Sequence, residues 1–518
     1  MKKIFIVIAI LPWVFAGNYK YQENITILSV DGTKISANLF TPEGEGTFPL
    51  IIFPNSWAMD EHQYYVQASL FAEKGYVVFS YSSRGWGKSG GTVTVAGPED
   101  LEDLSSCLDW VLANAPVDEK NIGISGISYG AGISLLGLAH DNRIKTAAVM
   151  SVWGDLIQSL YGNETPHVVW ATVLLGSGYL TGNMDPMIYE HYQNLVKRKD
   201  IPKTLAWAKK RSPLYVLDKI NKRKAPVYIS NNLQDEMFQP NSVVELYEKL
   251  TVPKRLDLNL GIHASAELGG LLGIDNYVWK NAHLWFDHWL KGQDNRIMEQ
   301  PPVTIAVKNT GERDSFGAWP HKSIRAKQYF FSQRTILENG TLVSKVPSRV
   351  GKDKISSGIL SGITTGIPII GAIFEAHSPI PIITFLPTTN PIISIYYQSE
   401  PLPAKFQLRG TPKVEIWVKP SDKQVQMIAH LYKLDSFGFA TLMTHAPITL
   451  HDQVPGKAVK VTWDLVTTAY DLKKGDRFAL AIDNYDLNYK SPSKYFSTEI
   501  LCGENFTSNI IIPYTEKP

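Results

Sequence analysis

The chain has 518 residues, 44% of them hydrophobic and 19% charged, and Lys+Arg of 51 against Asp+Glu of 49 leaves a net charge of +2. That composition is globular and excludes wholesale disorder, while the balanced charge gives no footing for nucleic acid as a partner. The length exceeds one ordinary core, so more than one domain is expected.

The N-terminus reads as a signal peptide over residues 1–16: Lys2 and Lys3 precede the apolar residues 4–15, and small residues follow. The stretch is short for a membrane span, and an uncleaved anchor is the alternative; both imply export, to the outside or to a periplasm. Residues 24–40 alternate apolar and polar around Asp31-Gly32, the pattern of a hairpin. Strands are then expected at residues 49–53, 76–81, 121–125 and 145–152, with helices at 63–74, 98–114 and 129–140. The strands are apolar without alternation, which implies a parallel sheet covered on both faces. Residues 156–218 break this rhythm. They are aromatic and helix-prone, and read as a cap inserted into the sheet domain. Strands resume at residues 225–230 and 254–260, and a helix carrying Trp279, His283, Phe286 and Leu290 on one face ends at Lys291-Gly292. From residue 301 helical periodicity nearly vanishes, and short strands between Gly, Pro, Asn and Asp turns read as an all-β sandwich or jelly roll. The expected organisation is therefore a catalytic α/β domain over 17–155 and 219–300, a cap over 156–218 and a β domain over 301–518. Residues 355–374 carry no charge but are broken by Gly and Pro. This stretch reads as a buried or partner-facing loop more readily than a membrane span, so no stable membrane insertion is expected.

Gly126-Ile127-Ser128-Tyr129-Gly130 is a G-x-S-x-G set directly between a strand and an apolar helix. A nucleophile elbow needs this context, because the serine sits on a tight turn and the flanking glycines let backbone pass. A serine nucleophile needs a base, and the base needs an orienting carboxylate; in this class they follow in the order Ser, acid, His on loops after strands. Asp235 follows the strand at 225–230, with Glu236 beside it as a rival, and His263 follows the strand at 254–260. His263 is the expected base, with a structural loop histidine as the alternative reading. His283 and His288 lie within a helix. Gly87-Lys88-Ser89 fails as a phosphate loop, since Ser82 stands where its first glycine would be. No His, Cys and carboxylate cluster has metal spacing, and neither metal nor cofactor is expected. Cys107 and Cys502 are too few for a disulfide framework; Cys107 reads as a small buried apolar residue, with one long-range bridge as the alternative.

Further motifs run in a specific order: Arg84-Gly85 with Ser89-Gly90-Gly91, the elbow, Trp285-Phe286-Asp287-His288-Trp289-Leu290-Lys291-Gly292, Trp319-Pro320, the segment from Leu408 to Trp417, and that from His430 to Gly438. In these the chain resembles the X-Pro dipeptidyl-peptidase and cocaine esterase group of acyl hydrolases, from about Asn24 onward. The resemblance implies an α/β-hydrolase sheet with an inserted helical cap, a C-terminal jelly roll, and Ser128, Asp235 and His263 as a catalytic triad. It also implies an oxyanion hole made by the Tyr129 N–H and a tyrosine hydroxyl on the loop after the third strand. Trp57 stands in that tyrosine's position, and its indole N–H is also a donor. Some dipeptidyl-peptidase members carry a long N-terminal domain with no counterpart here, which points toward an esterase or acylase. The expected substrate is a small molecule or short peptide cleaved at an ester or amide. X-Pro dipeptidyl-peptidase activity is one alternative, and an inactive surface- or carbohydrate-binding protein is another. Trp153, Tyr161, Trp170 and Tyr179 are expected either in an aromatic pocket under the cap or in the core. Glu164 and Asp185 are acidic residues that could hold a substrate α-amino group.

Overall fold

The computed structural model describes residues 17–335, 339–378 and 380–516, so the expected signal peptide over 1–16 lies outside the described residues. The first sheet opens with the hairpin read from Asp31-Gly32. β1 (Tyr19–Leu28) pairs antiparallel with β2 (Lys34–Pro42), and Gly32 takes φ +81° in the turn. β3 (Phe48–Pro54), β4 (Val77–Tyr81), β5 (Val117–Ile127), β6 (Thr146–Met150), β7 (Val227–Asn232), β8 (Lys254–Asn259) and β9 (Val303–Ala306) pair in parallel. The antiparallel β10 (Arg313–Phe316) closes a sheet of order β1-β2-β4-β3-β5-β6-β7-β8-β9-β10. The central strands lack alternation because both faces are covered: Leu50, Ile51, Ile52 and Phe53 are all fully buried. Each such side chain contributes about 2 kcal/mol by leaving water.

Two features correct the sequence reading. The sheet runs through β9 and β10 to Phe316, past the boundary expected at residue 300. β7 also extends to Asn232, so two asparagines expected in a loop belong to the strand end.

Helices α1 (Tyr65–Glu73), α2 (Pro98–Asn114) and α3 (Tyr129–His140) follow β3, β4 and β5. Between β6 and β7 stand the cap helices α4 (Leu156–Tyr161), α5 (Val168–Thr181), α6 (Pro186–Lys197) and α7 (Ile201–Lys209), and then α8 (Leu217–Arg223), which packs on α3. α9 (Pro240–Lys249) and α10 (Ser265–Leu271) follow β7 and β8. α11 (Tyr277–Lys291) buries Trp279, His283, Phe286 and Leu290 against the sheet.

The second, 14-stranded sheet system encloses its own core, which includes Val414, Ile416, Val418, Leu431 and Leu480. The uncharged stretch leaves the strand Gly351–Ser356, crosses a loop and enters α12 (Ile370–His377). Among the described residues no helix is long and apolar enough to cross a membrane. Arg409 ties the two units together. Buried among the strands, it donates to Asp314 of β10 (2.6 Å) and to Asp471 (2.7 Å). Cys107 and Cys502 lie in different cores and are unpaired.

Candidate active site

The elbow is built by backbone crowding. Ser128 stands between β5 and α3 with φ +57° and ψ −117°, a conformation costly for a residue with a side chain. Glycine is required on both sides. A Cβ on Gly126 would sit 2.5 Å from the Gly130 carbonyl carbon, and one on Gly130 would sit 2.3 Å from Pro54 O. The turn lifts the hydroxyl above the sheet at the N-terminus of α3, where the helix dipole favours negative charge.

His263 Nε2 lies 2.7 Å from Ser128 Oγ, and His263 Nδ1 lies 2.7 Å from Asp235 Oδ2. The other carboxylate oxygen accepts the main-chain N–H groups of Met237 (2.9 Å) and Phe238 (2.8 Å), which fixes its plane. The acid and histidine loops are laced together: Gln234 N–H donates to Gly261 O (3.1 Å), and Gly261 N–H donates to Gln234 Oε1 (3.0 Å). The Phe238 ring meets the imidazole edge-on at 4.9 Å. Asp235 is therefore the carboxylate on His263. Its rival Glu236 turns toward the β domain, where burial first, then Asp486, push its pKa up to about 8.

Ser128 opens on a cavity of about 120 Å³ between the sheet and the cap. Its walls include Trp57, Tyr129, Trp153, Tyr161, Leu174 and Phe238, and among the described residues no Asp, Glu, Lys or Arg lines it. His191 lies in the same wall with its pKa lowered by burial, so it is neutral near pH 7. Of the four aromatics expected there, Trp153 and Tyr161 line the cavity; Trp170 is buried in the surrounding cluster and Tyr179 is exposed on the outer side of α5. Glu164 faces His451 of the β domain, and Asp185 caps α6 by accepting the Met187 N–H (2.8 Å), so neither lines the cavity.

The sequence profile described as X-Pro dipeptidyl-peptidase (S15 family) matches residues 31–265, and that of the X-Pro dipeptidyl-peptidase C-terminal non-catalytic domain matches residues 295–494. The chain belongs to this X-Pro dipeptidyl-peptidase and cocaine esterase family. A putative Xaa-Pro dipeptidyl-peptidase of Bacillus anthracis is 23% identical over 81% of this chain and 70% of its own length. Cocaine esterase of a Rhodococcus species is 27% identical over 33% of this chain and 31% of its own. A CocE/NonD family hydrolase of Staphylococcus aureus shares the fold, with a TM-score of 0.75 at 15% identity over 96% of this chain and 94% of that one. Membership makes the protein a serine hydrolase.

Against the family pattern, Trp57 requires a correction. Its indole N–H donates to Leu174 O on cap helix α5 at 3.0 Å, so it does not serve Ser128. The ring packs edge-on against Trp86 (4.8 Å) and Tyr129 (5.6 Å). The Ser56 N–H is likewise engaged, by Gln63 Oε1 at 2.7 Å. Tyr129 opens α3, so its N–H has no intrahelical acceptor. Its hydroxyl is anchored on Asp100 (3.1 Å), a partner the sequence reading missed because acidic residues at the start of α2 suit the helix dipole anyway. Burial raises Asp100 to about 6. The family's Gly-rich loop is held by Arg84, which grips buried Asp103 with two bonds of 2.7 Å. Among the described residues, Asp60, Glu61 and His62 group closely enough to hold a metal ion. Glu61 already accepts the Ser36 and Ser82 hydroxyls and His62 pairs with Asp60, so these groups satisfy one another.

Proposed function

We propose that the protein is an exported esterase that cleaves apolar acyl esters or amides through an acyl-enzyme on Ser128. The observation that carries this reading is the line Ser128–His263–Asp235, joined at 2.7 Å and 2.7 Å and opening on an uncharged cavity. Ser128 Oγ attacks the carbonyl carbon as His263 takes its proton; His263 returns that proton to the leaving oxygen or nitrogen, and water repeats the sequence to free the acid. Asp235 keeps the Nδ1 proton facing it and stabilises the imidazolium. Charge developing on the carbonyl oxygen meets the Tyr129 N–H at the start of α3. The second donor in this reading is the main-chain N–H of Trp57, which has no hydrogen-bond acceptor among the described residues. Export rests on the N-terminal pattern alone.

The cavity is of the order that takes one aromatic ring (~150 Å³) or a short acyl chain. A dipeptide substrate would need an anionic partner for its α-ammonium, because an unpaired buried charge is costly. The neutral walls therefore favour an acyl ester over an X-Pro dipeptide, the second reading, which the family profile and the Bacillus relative support. A fluorophosphonate probe should label wild type and not Ser128→Ala. A panel of p-nitrophenyl esters from acetate to decanoate, a benzoyl ester, and Gly-Pro and Ala-Pro p-nitroanilides then separates the readings. Faster turnover of the anilides than of every ester would overturn the esterase assignment.

A further inference from the structure

The loop carrying His263 is pinned on both sides of the histidine by one buried network. Asn232 Nδ2 donates to Ile262 O at 3.0 Å, and the Ala264 N–H donates to Ser151 Oγ at 3.1 Å. Asn232 Nδ2 also reaches Ser151 Oγ, at 3.0 Å. Ser151 (φ +48°) and Ala264 (φ +60°) are both left-handed without being glycine. Such backbone persists where its surroundings over-determine it.

A hydroxyl has one proton and two lone pairs. The Ser151 lone pairs serve Ala264 and Asn232, so its proton has one direction left, and Glu267 Oε1 accepts it at 3.1 Å. The second carboxylate oxygen faces Asn232 Nδ2 at 3.3 Å. Glu267 is fully buried in the first turn of α10, and the mechanism above gives it no role. We propose that Glu267 is a positioning residue for His263: by orienting the Ser151 hydroxyl and the Asn232 amide, it holds Ile262 and Ala264 and so keeps the imidazole in line between Ser128 and Asp235. This rests on the acyl-enzyme reading above. Burial raises the Glu267 pKa to about 7 against the hydrogen bonds of Asn232 and Ser151.

A glutamate in a helix's first turn also stabilises that helix, and the test must separate the two roles. Glu267→Leu, Glu267→Gln and Ser151→Ala are compared with wild type and Ser128→Ala. The readouts are the fluorophosphonate acylation rate, kcat and KM for the best ester, thermal midpoint, and the downfield proton resonance of the His263–Asp235 hydrogen bond. Glu267→Leu and Ser151→Ala should acylate about 10- to 100-fold more slowly, as misplacement of a catalytic group predicts, with KM within about twofold and the resonance shifted. Glu267→Gln keeps the shape and one acceptor, and should retain at least about a third of the wild-type rate. Folded Ser151→Ala acylating at the wild-type rate with an unmoved resonance overturns the proposal, and so does an equal loss in Glu267→Gln and Glu267→Leu. Should Glu267→Leu not fold, Ser151→Ala decides. Failure of wild type to be labelled refutes the acyl-enzyme reading instead.

Discussion

Replacing Trp57 by Phe separates two accounts of how the acyl pocket is built. The indole N–H makes one hydrogen bond, to Leu174 O at 3.0 Å, between the loop after β3 and cap helix α5. Phenylalanine keeps most of the ring that packs on Trp86 and Tyr129 but removes that bond. Leu174 O retains a partner in the Ser177 hydroxyl (3.2 Å), so the carbonyl is not orphaned. The loss is then that of a single neutral hydrogen bond, about 1 kcal/mol. It falls on the seat of the cap, and hence on ground-state and transition-state binding alike. Steady-state kinetics with a p-nitrophenyl ester should show KM rising about fivefold while kcat stays within about threefold of wild type. Were the indole an oxyanion donor, its loss would appear in the transition state alone, as a fall of about 10²–10³-fold in kcat with KM little changed. That result would refute the present reasoning and mean that the indole leaves Leu174 during turnover.

Three further outcomes are expected. Asp235→Asn should lower kcat by about 10⁴-fold, since the amide no longer enforces the productive imidazole tautomer; Glu236→Gln should leave kcat within a few-fold, and the reverse ranking in the same ester assay would misassign the acid. Glu236 is held at about 8 by burial and by Asp486, Glu375 and Asp235, well above its unfolded value, so the folded state binds the extra proton. Its contribution is then full below pH 4.5 and is lost as pH rises toward 8, by at most about 1.4 kcal/mol per pH unit. Denaturant titrations should therefore show wild type losing more stability than Glu236→Gln between pH 5 and 8, and parallel curves would refute the assignment. Gly130→Ala drives a Cβ to 2.3 Å from Pro54 O and 3.0 Å from Asn55 O, both backbone atoms. It should cost about 1–3 kcal/mol or leave the protein insoluble; a wild-type thermal midpoint would show that the elbow has room.

What could be read from the sequence follows the range of the forces that set it. The elbow was legible because its requirement is local: a strand, a serine at positive φ and two glycines lie within a few residues. α2 and α3 were read at their observed ends for the same reason, the one opening with acidic residues after Pro98 and the other springing from the elbow. β9 and β10 were missed because they are short and join the sheet only through the pairing of β9 with β8, over 40 residues earlier in the chain, which leaves no local signature; β10 then pairs with β9. Asn231 and Asn232 read as loop because their side chains are polar. They end a strand because those side chains are used inside, Asn231 Oδ1 on the Val152 N–H and Asn232 Nδ2 on Ile262 O.

The same distinction governs the site. Residue type and chain order pointed to Ser128, Asp235 and His263, since their chemistry needs those side chains on successive strand ends. Which way a donor points is another matter. Trp57 carries an indole N–H whatever surrounds it, but its direction is set by Leu174, 117 residues away on the cap. Trp153 and Trp170 are alike in sequence, and only the packing of α4 to α7 decides that the first lines the cavity and the second stands behind it. Glu267 shows the limit most clearly. Four residues after His263 it looks like an ordinary first-turn acid, and its partner Ser151 lies 116 residues earlier. Only when β6, β7 and α10 converge does one carboxyl group come to face the hydroxyl and the amide that hold the histidine's two neighbours.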